Sequence, residues 1–396
     1  MLQVFATQGG LDYILSLLVF ILFIFFYNEL QIWILTYSLK SFINEITVYE
    51  KLSRRLFLSL ILANRKDLID NIESEDPEVI ARKIVLSEGF RRINRWIDEM
   101  INSFLIYPVT LDPTGILDRL EHLINIRRER FLKISSNILP DAPNYISKNL
   151  ESALEAAAAI RYLWKISSHI YRVGKRTKNI YYLLQLRILM PFLRELCLSF
   201  FDAMRGFING VPVGDSVGAM VAQRFFGSEV EVDDEDKIAY SSTEIDGRYI
   251  LAVKAAGPGS EIGHPGRFLE KIIQKLNGDV DAIITVDAAL RFESEEIGEV
   301  DVGVGAAIGD PGPEKFRIEK WTTKYRIPLF AVVIKENYIE SLTPLRKELL
   351  DSIKRAYEIV KRLILEEVPE GGKAIILGIG NTIGVSNKPI KRVLEK

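Results

Sequence analysis

Hydrophobic and polar positions divide the chain into three stretches with different patterns. Residues 13–27 read YILSLLVFILFIFFY, broken only by Ser16, and apolar character resumes from Leu30 to Leu35. A run with no polar face, approaching the roughly 20 residues that a spanning helix needs, predicts a transmembrane helix. It lacks the basic start and small-residue cleavage site of a secretory leader, so it is expected to stay in the chain. The membrane partner is expected over residues 11–36.

From about residue 40 to 205 the pattern is almost wholly helical. LSRRLFLSLILANRKDLIDNI and DPEVIARKIVLSEGFRRINRWIDEMINSFL carry apolar residues at three- and four-residue spacing, the second opening at Asp76-Pro77. Pro108, Pro113, Pro140 and Pro143 punctuate the stretch after it. One or two long helices are expected over residues 151–196. An α-helical bundle of about four to six helices is predicted.

After residue 206 glycine becomes frequent and short β-branched runs appear. Strands are expected at 249–256, 281–289, 301–309, 327–334 and 373–378, with helices at 266–276 and 341–367. Strands alternating with helices argue an α/β domain with a mostly parallel sheet. The expected domains are therefore a membrane anchor at 1–39, a helical domain at 40–205 and an α/β domain at 206–396.

Charge sharpens this division. Residues 1–39 hold Asp12 and Glu29 and no Lys or Arg; 40–200 hold 25 Lys/Arg against 19 Asp/Glu; 201–396 hold 26 against 32. Basic residues stay on the cytoplasmic side of a spanning helix, and Lys40, Lys51, Arg54, Arg55, Arg65 and Lys66 all come after the apolar run. A single-pass protein of the cell membrane is expected, N-terminus outside and the bulk of the chain cytoplasmic. The acidic C-terminal half disfavours a nucleic-acid partner. Cys197, the single cysteine, excludes an intramolecular disulfide and a Cys-rich zinc site, and three histidines make a multi-His site a poor expectation.

Ligands of α/β sheets bind beyond the carboxyl ends of the strands. Asp287 is expected at such an end, in V-D-A-A, where desolvation or a second carboxylate shifts its pKa; capping of the next turn is an equal reading. Gly257 and Gly259 come after another strand, and Gly378, Gly380 and Asn381 after a third. The glycines of GVGAAIG (303–309) and GIGNTIG (378–384) are spaced unlike the dinucleotide fingerprint, so nucleotide binding is weakly supported. His264, in a turn, is an acid–base candidate with Glu261 beside it. Lys254 is a weaker candidate for an anion partner. The run EVEVDDEDK (229–237) reads as an exposed acidic loop. No cofactor is required by these residues. A divalent metal is compatible with them, but its ligands are unknown.

The stretch from GPGSEIGHPGRFLEKIIQKL through VDAAL (286–290) and IGDPGP (308–313) to IPLFAVV (327–333) resembles the germination spore protease. That family shares a fold with the hydrogenase maturation proteases. GVPVGDSVGAMVAQRFFG (210–227) resembles the fold's first acidic motif. The resemblance implies a phosphorylase/hydrolase-like three-layer domain in which Asp215 and Asp287 are the active-site carboxylates of a peptidase-like hydrolase. Those families place a G-[LI]-G-N loop before the first acidic motif; here AIILGIGNT stands at 374–382, which implies a circular permutation. His264 is the single histidine of this domain and precedes Asp287, where the metal-using relatives have a later histidine. The whole chain is also similar to archaeal membrane-anchored proteins grouped only as a domain of unknown function. The alternative expectation is a non-catalytic membrane scaffold, or a sensor binding a small anion or nucleotide at the glycine loops, with a protein or peptide partner.

Overall fold

A computed structural model describes residues 2–64, 88–103, 105–106, 108, 115–309 and 312–390. The expected helix start at Asp76-Pro77, Pro113, and Asp310 and Pro311 of the IGDPGP loop lie outside the described residues. Two compact units are present, one of residues 1–54 and 159–198, the other of residues 55–158 and 199–396.

The first unit is helical. α1 (Leu2–Asn64) is one continuous helix. Within Asp12–Phe57 it is long and apolar enough to cross a membrane. Every described side chain from Asp12 to Asn28 is exposed, whereas Leu39, Phe42 and Ile46 are buried. Parts of α4 (Asn144–Thr177) and α5 (Ile180–Asn209) complete the unit. Polar contacts fix their register. Lys178 Nζ meets Glu29 Oε1 at 2.6 Å, Arg187 Nη1 donates to Ser38 Oγ at 2.9 Å and Arg194 Nε to Glu45 Oε2 at 2.9 Å, a constant offset of 149 residues. A constant offset means α5 runs parallel to α1. Arg161 to Glu50 (2.8 Å) and Trp164 to Thr47 (2.9 Å) descend instead, so α4 is antiparallel.

In the second unit, α2 (Glu88–Ile101), α3 (Ile116–Ile138) and the remaining parts of α1, α4 and α5 share a core around Phe57, Ile93, Met100, Phe131 and Leu150. The chain then enters the α/β layer. The strands are β1 (Glu231–Asp233), β2 (Ile238–Ile245), β3 (Arg248–Ala255), β4 (Ala282–Leu290), β5 (Val300–Val304), β6 (Leu329–Glu336) and β7 (Lys373–Gly378). Among the described residues they form one sheet in the order β1-β2-β3-β7-β4-β6-β5.

The sheet is mixed, a correction to the mostly parallel expectation. β3–β7, β7–β4 and β4–β6 are parallel, while β1–β2, β2–β3 and β5–β6 are antiparallel. The reason is the β2–β3 hairpin. Asp246 and Gly247 both have positive φ (46° and 74°), the turn type that matches strand twist. The Asp-Gly pair is legible in the sequence, but IAYSSTEI is too polar to stand out as a strand.

Side chains alternate across the sheet. Ile284, Val286 and Ile376 face α6 (Val217–Gln223) and α9 (Lys347–Glu367). Ile283, Ile375 and Leu377 face α7 (Pro265–Lys275) and α8 (Pro313–Tyr325). Three layers result, and both faces of the central strands are dry.

α6 approaches the sheet through glycine. A Cβ on Gly218 would lie 2.3 Å from both Ile379 O and Val286 O; one on Gly378 would lie 2.4 Å from Gly218 O. Gly218→Ala is therefore expected to destabilise the chain by about 3 kcal/mol. Gly303→Ala, where nothing lies within 4 Å, should stay within about 0.5 kcal/mol. Urea unfolding midpoints of the two variants check the contrast.

Candidate functional site

β4 does not end at Asp287. It continues to Leu290 beside β6, while β7 stops pairing at Val286↔Gly378. Asp287 is the first β4 residue beyond the end of β7, and the missing neighbour opens a crevice there. The expectation of a strand terminating at this carboxylate is corrected accordingly. Asp287 is 5% exposed, and its Oδ1 accepts from the Ala288 N–H at 2.8 Å.

Asp215 reaches the same crevice from the other side. It lies in a single 3₁₀ turn (Gly214–Ser216) that leads into α6. That turn is held by Gly214 N–H to Thr343 O (3.1 Å) and Leu345 N–H to Pro212 O (2.8 Å). The Asn381 N–H donates to Asp215 Oδ2 at 2.8 Å. Gly380, at φ 113°, lies so close that a Cβ would stand 1.8 Å from Asp215 O. The loop after β7 thus passes directly beside Asp215.

A third carboxyl, not among the residues singled out from the sequence, completes the group. Glu336 ends β6 and is 2% exposed, and neither carboxyl oxygen has a hydrogen-bond partner among the described residues. Gly214 makes room for it: a Cβ there would lie 2.6 Å from Glu336 Oε2. Asp215, Asp287 and Glu336 line one cavity of about 620 Å³, together with Ala306–Gly309, Lys315, Tyr338 and Ser341.

Burial raises all three pKa values, because the charged form loses water. For Asp215 the Asn381 N–H opposes the rise. Asp287 is held well above the usual carboxylate range by burial and then by the charge of Asp215, against the N–H groups of Ala288 and Gly309. Glu336 is pushed up to about 9 by burial, then by Asp215, Asp287 and Glu340. Glu340 behaves oppositely. Burial would raise it, but Arg291, at 2.9 Å, and the Asn337 N–H bring it below the usual value.

The other expected site residues lie elsewhere. Glu261 is walled into a second cavity of about 230 Å³ with Arg128 and Glu151. Burial alone would raise its pKa, but Arg128 and Lys148 (2.7 Å) bring it down to about 2. A carboxylate so firmly ionised and paired is a structural anion, which corrects the acid–base expectation for it.

His264 caps α7, with Nδ1 3.3 Å from Glu314 Oε1. Ligand atoms of Glu121, His264 and Glu314 lie within 4.8 Å of one another. Arg317 already neutralises that group, bonding Glu121 at 2.6 Å and approaching Glu314 at 3.4 Å. The acidic run at 229–237 is likewise paired: Asp236 with Arg267 and Lys271, Glu235 with Lys271.

Gly257 and Gly259 are filled by backbone rather than open to a ligand. A Cβ on Gly257 would lie 1.8 Å from Val385 O, and one on Gly259 3.0 Å from Tyr145 Cα. Neither borders the carboxylate cavity. Lys254 is 1% exposed and its Nζ donates to Ala255 O (3.0 Å) and Asn387 Oδ1 (2.9 Å). Its ammonium is used up within the fold.

Comparison with known families matches two adjacent segments. Residues 67–210 match the N-terminal domain of a protein of unknown function, DUF1512, and residues 213–386 match the DUF1512 C-terminal domain. The chain belongs to the DUF1512 family. All three cavity carboxylates fall within the C-terminal DUF1512 segment. No curated protein and no solved structure matches the chain.

Glu336 sets a pH dependence. Its pKa is raised on folding, from 4.5 to about 9. Between those values the native state holds a proton that the unfolded chain has released. Stability is fully present below the lower value and falls as pH rises through the window, by up to about 1.4 kcal/mol per pH unit from this group. Glu336→Gln is uncharged at every pH and fits where the protonated acid stands. It should flatten this slope and raise stability at pH 8. Denaturant midpoints at pH 5, 6.5 and 8 test this, and an unchanged slope would count against the assignment.

Proposed function

We propose that the chain is a membrane-anchored hydrolase of peptidase-like type, acting through Asp215, Asp287 and Glu336. The observation that carries the reading is Glu336. Its carboxyl is buried and unsatisfied among the described residues, in a cavity that also holds Asp215 and an Asp287 whose pKa is raised by burial and by the charge of Asp215. A buried polar group without a partner costs stability and is kept where function uses it. The likeness of GVPVGDSVG and VDAAL to the spore-protease motifs points to the same two aspartates.

Carboxyl groups with raised and separated pKa values provide an acid and a base at one pH. The ionised member takes a proton from water as its oxygen attacks an amide carbonyl carbon. The protonated member delivers its proton to the leaving nitrogen as the C–N bond breaks. An acid and an amine result, and the pair ends with its protons exchanged.

The anchor is α1, whose described side chains from Asp12 to Asn28 are exposed and almost all apolar. The basic residues from Lys40 onward support a cytoplasmic side for the bulk of the chain. The alternative of a small-anion sensor at the glycine loops has less support, because Gly257 and Gly380 are occupied by neighbouring backbone.

Asp215→Asn and Asp287→Asn should each lower hydrolysis of an unstructured peptide library by 10²-fold or more, on the order of the loss of an acid–base group. Both variants should melt at or above the wild-type temperature, since each removes a desolvated carboxyl. Mass spectrometry of the cleaved library measures the first and thermal denaturation the second. Full cleavage by either variant would sink the reading.

A further inference from the structure

We infer that the turn between α4 and α5 is a docking surface for the anionic headgroups of the bilayer that α1 enters. The inference rests on the anchoring part of the proposed function and is independent of the hydrolase site.

Three observations converge on this turn. Its charge has one sign: Arg172, Lys175, Arg176 and Lys178 are all exposed, and no acidic residue lies between Glu155 and Glu195. Its position is fixed by the register of the helices. The Lys178–Glu29 contact at 2.6 Å sets the turn beside the inner end of the apolar run. N-terminal to that point, the described side chains of α1 are almost all apolar, Asp12, Ser16 and Asn28 excepted, and exposed on every side of the helix. The third observation is the face of α5 just past the turn. Tyr181 is 75% exposed, Tyr182 43% and Leu184 39%, while Leu183 and Leu186 of the same helix are buried.

Tyrosine and aliphatic side chains beside lysine and arginine at the end of a spanning helix suit the headgroup layer, with rings at the interface and cations toward phosphate. Glu29 is the acidic residue nearest this turn in the contacts described, and Lys178 already neutralises it. The remaining three cations have no ion-pair partner among the described residues. Each lysine or arginine held near an anionic surface contributes about a fivefold preference for the docked state.

The test uses the full chain in nanodiscs of phosphatidylcholine alone, or with phosphatidylglycerol added. A fluorophore is attached at Thr177→Cys, which is exposed, whereas Cys197 is buried. Acrylamide reports access from water and doxyl-labelled lipid reports contact with the bilayer. Phosphatidylglycerol should reduce acrylamide quenching several-fold and raise quenching by doxyl lipid.

Replacing Arg172, Lys175, Arg176 and Lys178 together by glutamine should return both signals to their phosphatidylcholine values. Single replacements should shift the docked-to-undocked ratio about fivefold each. Equal quenching in the two lipids, by a chain that is embedded in the discs, would overturn the docking surface and leave the anchor standing. A chain that does not enter the discs would overturn both.

Discussion

The site depends on one step in the sheet: β7 stops at Gly378 while β4, its neighbour, runs on to Leu290. Beyond the step, Asp287 has lost a strand partner on one side. The space is narrow because α6 is drawn down onto the strand ends by Gly218, with no room for a Cβ against Val286 O and Ile379 O. That close approach carries the turn before α6, and hence Asp215, to the crevice. A larger residue at 218 would lift the helix and move Asp215 with it. The same step frees the backbone after β7 to turn and present the Asn381 N–H to Asp215 Oδ2.

Two buried carboxyls near this step show opposite solutions to the cost of desolvation. Glu261 has Arg128 and Lys148 against it and stays ionised. Glu336 has no hydrogen-bond partner among the described residues, and its neighbours Asp215 and Asp287 repel its charge. Folding a pair such as Glu261 with its cations organises the contact between α3, α4 and the loop after β3, because one carboxylate binds two helices at once. Leaving Glu336 unpaired stabilises nothing. A fold that can supply arginine to Glu340, four residues away (2.9 Å), has the means to pair Glu336 as well. The proposed hydrolysis would give the unpaired state a use that packing does not supply.

Much of this architecture is legible in the sequence. The apolar run is readable from its length without a polar face, and the strands of the sheet centre because their side chains are buried on both faces and so run continuously apolar. What escapes is polar. β2 is half-exposed and carries Ser241, Ser242 and Thr243, so its composition resembles a loop; the Asp246-Gly247 turn is the signal for it. Glu336 escapes for a related reason. The apolar run of β6 ends at Ile334, as does its pairing with β5, which predicts the end of the strand there too, although β4 pairs with it on to Leu290↔Glu336. The rule that draws attention to Asp287, a carboxylate where a buried strand meets the crevice, applies to Glu336 once the strand is extended by two residues. His264 and Glu261 are drawn in by proximity in sequence, and their partners, Glu314 and Arg128, are 50 and 133 residues away.

The mixed sheet also bears on where a substrate can lie. The parallel centre, β3-β7-β4-β6, has its strand ends aligned at one edge of the layer, and the cavity opens at that edge beside β4 and β6. β5 closes the far side antiparallel to β6, and its Val302 and Val304 are exposed, the latter at 88%. An edge strand with exposed valines and unpaired backbone groups accepts an extended chain by strand addition. The chain after β5 leads straight into Ala306–Gly309, which line the carboxylate cavity. Val304 pairs with Phe330, at the opposite end of β6 from Glu336, and β6 lies between β5 and Asp287, so a chain added along β5 would approach the cavity only past the Val300 end of the strand.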